Sequence, residues 1–98
     1  MDRDHVLATL RAHESDLKRA GIVRLSLFGS VVRGDAGPDS DVDLLAAFDE
    51  TRQISLMDVA GFEIELSGLL GKPVELVEEG TLKPPVRKSV EAEAVRAF

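Results

Sequence analysis

A chain of 98 residues, 44% apolar and 31% charged, has the material for one compact core in ordinary globular proportion. Its net charge of −6 speaks against a protein that coats nucleic acid, because such binding is driven by Lys and Arg displacing counterions. Cys is absent and His occurs twice, which excludes a disulfide framework, a thiolate zinc site and a histidine metal site, and no apolar run reaches transmembrane length.

The opening MDRDHV is acidic where a signal peptide is basic and then apolar, so a soluble, cytoplasmic protein is expected, with one domain over residues 1–98. In residues 4–19, Val6, Leu7, Leu10 and Leu17 fall on one face of a helix, and Gly21 suits the left-handed position past its end. His5 and His13 read as surface residues of that helix. Val23, Leu25 and Leu27 alternate with Arg24 and Ser26, which predicts a strand over residues 23–28 that Gly29-Ser30 breaks. Residues 31–40 read as a short helical turn and a loop ending in Gly37-Pro38-Asp39-Ser40. Residues 41–48 form a second, largely apolar and therefore central strand.

After a polar connection, Ser55 is a good N-cap, with Asp58 three residues on as a capping-box variant. The helix it starts runs to Leu70 and stops at Gly71. Residues 73–77 make a third strand. Pro84 and Pro85 start a last helix, in which Val86, Val90, Ala94 and Phe98 share one side. Arg24 reads as a solvated strand residue, Glu78 and Glu79 as an exposed acidic turn, and Glu63 and Glu65 as the polar side of the long helix. The order α-β-α-β-α-β-α predicts an α/β fold with a small mixed sheet flanked by helices.

The chemistry concentrates where these elements meet. A connection of about ten residues lets the first two strands lie antiparallel, which sets Ser30 beside Asp41. A full helix between the second and third strands is the usual route to a parallel pair, which sets Glu75 level with Asp43. Residues two apart on a strand share a face, so Asp41 and Asp43 project together. Carboxylates so clustered repel unless a cation lies between them, and hard oxygen donors suit magnesium with phosphates in its shell. The glycine lets backbone approach a phosphate, and the Ser30 hydroxyl and nearby N–H groups can donate to it. Together these form a site for a nucleoside triphosphate with its metals. Arg33 either reaches phosphate or pairs with Asp35 or Asp39. Asp39, Asp41, Asp43 and Glu50 also fall at positions 1, 3, 5 and 12 of an EF-hand loop, but Leu44 stands where that loop needs Gly.

The stretch Gly29-Ser30, ten residues, then Asp41-Val42-Asp43, within LFGSVVRGDAGPDSDVDLL, resembles the signature of the polymerase-beta-like nucleotidyltransferases. It is most similar to their minimal branch, the antitoxin partners of HEPN-domain ribonuclease toxins. The resemblance implies the polymerase-beta-like fold, ATP as substrate, and Gly29 and Ser30 holding the triphosphate. It implies two magnesium ions on Asp41, Asp43 and a third carboxylate, which here is Glu75 in PVELV where the family usually carries Asp. One extra methylene displaces that carboxylate, and a shift of about an ångström can cost about a hundredfold in rate. The implied activity is transfer of AMP to a tyrosine of a HEPN toxin, without direct nucleic-acid or membrane contact, and with homo- and hetero-oligomers both open. The alternative is a non-catalytic antitoxin that neutralises the toxin by binding and keeps a vestigial nucleotide site.

Overall fold

The computed structural model describes residues 2–37 and 40–98; Pro38 and Asp39, and with them the loop reading around them, the first EF-hand position and an Arg33–Asp39 pair, lie outside the described residues. The chain forms α1 (Arg3–Ala12), α2 (Glu14–Ala20), β1 (Ile22–Phe28), α3 (Ser30–Arg33), β2 (Val42–Phe48), α4 (Leu56–Leu70), β3 (Val74–Glu78), a 3-10 turn (Glu79–Thr81), α5 (Pro84–Glu93) and β4 (Val95–Arg96). The four strands make one mixed sheet in the order β3-β2-β1-β4, with β1 antiparallel to both neighbours and β2 parallel to β3. No helix among the described residues is long and apolar enough to cross a membrane.

Local chemistry explains most boundaries. Asp2 caps α1 by accepting from the His5 N–H at 2.8 Å. The expected single helix over residues 4–19 is two, broken at His13, whose backbone (φ −107°, ψ 13°) ends α1 and precedes α2. The break falls where the apolar stripe would next turn inward and meets a polar ring. His13 is half-buried, with Nδ1 2.9 Å from the Thr9 carbonyl, rather than a free surface residue. The stripe itself behaves as read: Val6, Leu7, Leu10 and Leu17 are buried. For α4 the capping box is complete, with Asp58 N–H donating to Ser55 Oγ at 3.1 Å and Ser55 N–H to the Asp58 carboxylate at 2.8 Å. Gly71 ends the helix in the left-handed region at φ 69°.

Helices pack on the face of the sheet that presents Leu25, Leu27, Val42, Leu44, Ala46, Val74 and Leu76; Leu10, Leu17, Phe62, Leu66 and Leu70 complete this core. Leu45 is buried on the opposite face, so β2 has a nearly continuous apolar run, as a central strand should. The outer edge of β3 is closed by α4: Val74 N–H donates to Ser67 Oγ at 3.0 Å and Leu76 N–H to the Glu63 carboxylate at 2.8 Å. Glu63 is therefore a half-buried cap on an edge strand and not part of a solvated helix face.

The chain's last residues depart from expectation. α5 ends at Glu93, no residue of it is buried, and Val86 is exposed. Val95 and Arg96 instead pair with Leu27 and Ser26, adding a fourth strand, while Ala97 and Phe98 enter the core. The free edge of β1 supplies the reason. Leu25 N–H donates to the Phe98 carbonyl at 3.2 Å and Ala97 N–H to the Leu25 carbonyl at 2.9 Å, satisfying groups a continued helix would leave open. Arg11 fastens this segment from α1, donating to the Ala97 and Arg96 carbonyls at 2.8 and 3.0 Å.

Candidate functional site

The end of β1 and the starts of β2 and β3 meet at one end of the sheet. Phe28 is the register partner of Asp43, and Asp43 is the register partner of Glu75. The antiparallel and parallel pairings therefore bring the Gly29 turn, Asp43 and Glu75 side by side, as the connection lengths imply. Asp41 lies just before β2 and is exposed, Asp43 is half-buried, and Glu75 is exposed on the edge strand.

Gly29 has φ 81° and ψ −152°, a region essentially confined to glycine. A Cβ there would collide with the Asp43 carboxylate, lying 3.1 Å from its Cγ. Glycine is thus required twice, by conformation and by contact. Its carbonyl accepts from Val32 and Arg33 N–H at 3.1 and 3.2 Å, which starts the short helix α3 with Ser30 at its first position.

The electrostatics match a crowded acidic corner. Asp43 is pushed above the ordinary carboxylate value by burial first, then by the negative charges of Glu75 and Asp41 and, more weakly, of Glu93, with Arg33 opposing. Arg33 is raised by its hydrogen bond to Asp35, then by that to Glu93. It donates to the Asp35 carboxylate at 3.3 Å and to both Glu93 oxygens at 3.1 and 3.3 Å. Glu93 Oε1 also accepts the Gly29 N–H at 2.7 Å. Nothing local singles out Glu93, a polar residue at the end of a distant helix; only the return of β4 along β1 brings it here.

Among the described residues, no group of three or more His, Asp and Glu side chains is arranged to hold a metal ion by itself. The donor chemistry nonetheless fits magnesium, which binds through one or two carboxylates plus substrate phosphates rather than an all-protein cage. The Asp43–Glu75 pair offers donors of that kind, and a cation between them would relieve the repulsion by Glu75 that, after burial, raises the Asp43 carboxyl.

A hollow of about 480 Å³ lies at the opposite end of the sheet, between Arg24, Phe48, Glu79 and Arg87, away from these carboxylates. Glu79 pairs there with Arg24 and, at 3.7 Å, with Arg87. Arg24 and Glu79 thus form a tertiary tie, where the sequence alone reads a solvated residue and an exposed turn.

Comparison with known proteins gives the family and the fold. Residues 10–97 match the nucleotidyltransferase domain family. The chain is 40% identical over 93 residues to the protein adenylyltransferase MntA of Thermococcus cleftensis, covering 94% of this chain and 92% of that one. A solved structure provisionally described as a minimal nucleotidyltransferase superposes with a TM-score of 0.74 at 46% identity, covering 97% of this chain and 95% of the other. A complex of a tri-AMPylated HEPN toxin with an MNT antitoxin from Shewanella oneidensis matches at TM-score 0.60 and 14% identity, covering 90% of this chain and 71% of that one, a likeness of fold alone.

Proposed function

The chain belongs to the nucleotidyltransferase domain family, and from that membership we propose that it transfers AMP from ATP to a tyrosine hydroxyl of a HEPN ribonuclease toxin and so silences it. The observation that carries the reading is the register line Phe28–Asp43–Glu75 beside a turn that only glycine permits. The adenylyltransferase name of a relative covering nearly the whole chain supports the reaction, and a neighbour of the same fold, seen with an AMPylated HEPN toxin, points to the class of acceptor.

In this reading Gly29, Ser30 and Arg33 receive the triphosphate. The Gly29 N–H and the Arg33 guanidinium already converge on one anionic group, the geometry a phosphate requires. Asp41, Asp43 and Glu75 hold magnesium, which neutralises the triphosphate and polarises the reacting oxygens when bound. Glu75, exposed next to Asp43, takes the proton of the acceptor hydroxyl. The acceptor oxygen bonds to the α-phosphorus as the bond to the pyrophosphate breaks.

A second reading rests on Glu75, one methylene longer than the usual aspartate: the chain neutralises its partner by covering it. Ribonuclease assays of the purified partner separate the two. Silencing that needs Mg-ATP and outlasts removal of the chain supports transfer. Silencing by the chain alone, reversed on its removal, supports covering.

A further inference from the structure

Glu93 is a further acidic side chain at this end of the sheet, and it is held by two donors, one of which, Arg33, also bonds Asp35. Its Oε1 accepts from Gly29 N–H at 2.7 Å, and Arg33 Nη1 donates to Oε1 and Oε2 at 3.1 and 3.3 Å. A backbone amide and a guanidinium converging on two oxygens make the pattern by which a phosphate is gripped. The carboxylate keeps this position although its charge adds to the repulsion on Asp43. Both donors belong to the segment whose Gly29 abuts Asp43, so the group they hold lies beside the carboxylates of the proposed reaction.

We propose that Glu93 is a built-in stand-in for a nucleotide phosphate: it fills the anion seat formed by Gly29 N–H and Arg33, and nucleotide binds by displacing it. This rests on the nucleotidyltransferase reading of the site. The surroundings favour a local displacement. No residue of α5 is buried, so its last turn can shift at small cost in packing. Beyond Glu93 the chain is fixed by pairing of Val95 and Arg96 with β1 and by Arg11. The side chain therefore swings out while the strand stays. A seat closed most of the time weakens apparent affinity by the fraction of molecules that are open.

The experiment is titration calorimetry of inorganic triphosphate and of Mg-ATP on the wild type, Glu93→Gln and Glu93→Ala, with circular dichroism to establish folding. Glu93→Gln keeps the shape and an acceptor for Gly29 but loses the charge facing Arg33. Both variants are expected to bind triphosphate about tenfold or more tightly than the wild type. Equal or weaker binding by folded Glu93→Gln overturns the proposal and makes Glu93 a group that positions Arg33 and Gly29. Absence of triphosphate binding by all three forms also overturns it. If the variants bind more tightly but no form transfers AMP, the seat stands and the transfer reading falls. If the wild type transfers AMP while Glu93→Gln binds more weakly, transfer stands and the stand-in falls.

Discussion

Gly29 abuts the Asp43 carboxylate so closely that a Cβ on Gly29 would strike it, at 3.1 Å from Cγ and 3.2 Å from Cβ of Asp43. The turn that ends β1 and the first residues of β2 are thus one unit. Gly29→Ala is expected to cost about 1–3 kcal/mol from backbone strain alone, and more from the collision. It should also displace Asp43 and remove Mg-ATP binding. Urea denaturation with calorimetry checks this; a variant as stable as the wild type that still binds nucleotide contradicts it.

Asp43 titrates above its usual 3.8, through burial and then through Glu75 and Asp41. A carboxyl with a raised folded pKa favours the fold when protonated, and that contribution is lost as the pH rises from about 3.8 through the raised value. At neutral pH the ionised group is therefore a cost. Asp43→Asn should melt higher than the wild type at pH 7 in chelator, and the difference should vanish toward pH 3. It should also lose the rise in Tm that Mg-ATP gives the wild type. A lower melting temperature in chelator would make Asp43 structural.

Ser55→Ala removes the N-cap of α4 and should cost about 1 kcal/mol. Asp58, whose carboxylate accepts the Ser55 N–H, is held below its usual value first by that bond and then by the Ser55 side chain beside it. Its contribution is present above the unfolded value and lost as the pH falls through the depressed folded one. Denaturation across pH 2–6 should show Asp58→Asn losing its penalty in that acid window. A pH-independent penalty would contradict the assignment.

Glu63→Ala leaves the Leu76 N–H on the outer edge of β3 without its acceptor. A loss of about 1–3 kcal/mol is expected, with faster hydrogen exchange at Leu76 than at Leu44. Unchanged exchange at Leu76 would show that the bond does not hold the edge.

Much of this was legible because local signals and connection lengths agreed. Ser55, Asp58 and Gly71 mark α4 at both ends, and a helix-length crossover is enough to put Asp43 and Glu75 in register. The misses are tertiary. Val86, Val90, Ala94 and Phe98 satisfy a helical period, but that period carries no information about the open edge of β1, which takes Val95 and Arg96 as a strand. For the same reason Glu63, Arg24 and Glu79 read as ordinary surface charges, and nothing local singles out Glu93. At His13 the ring lies at the Thr9 carbonyl, the group its own N–H would meet in a continuing helix, while that N–H bonds the Leu10 carbonyl instead, a local competition that helix propensity alone does not register.

The central claim is tested most directly by tandem mass spectrometry of the HEPN partner after incubation with the chain, ATP and magnesium. The account expects AMP on a partner tyrosine, formed by the wild type and slowed by about 10²–10⁴-fold in Glu75→Gln, with nucleotide binding much less affected. A partner left unmodified by the wild type, yet still blocked as a ribonuclease, would contradict it.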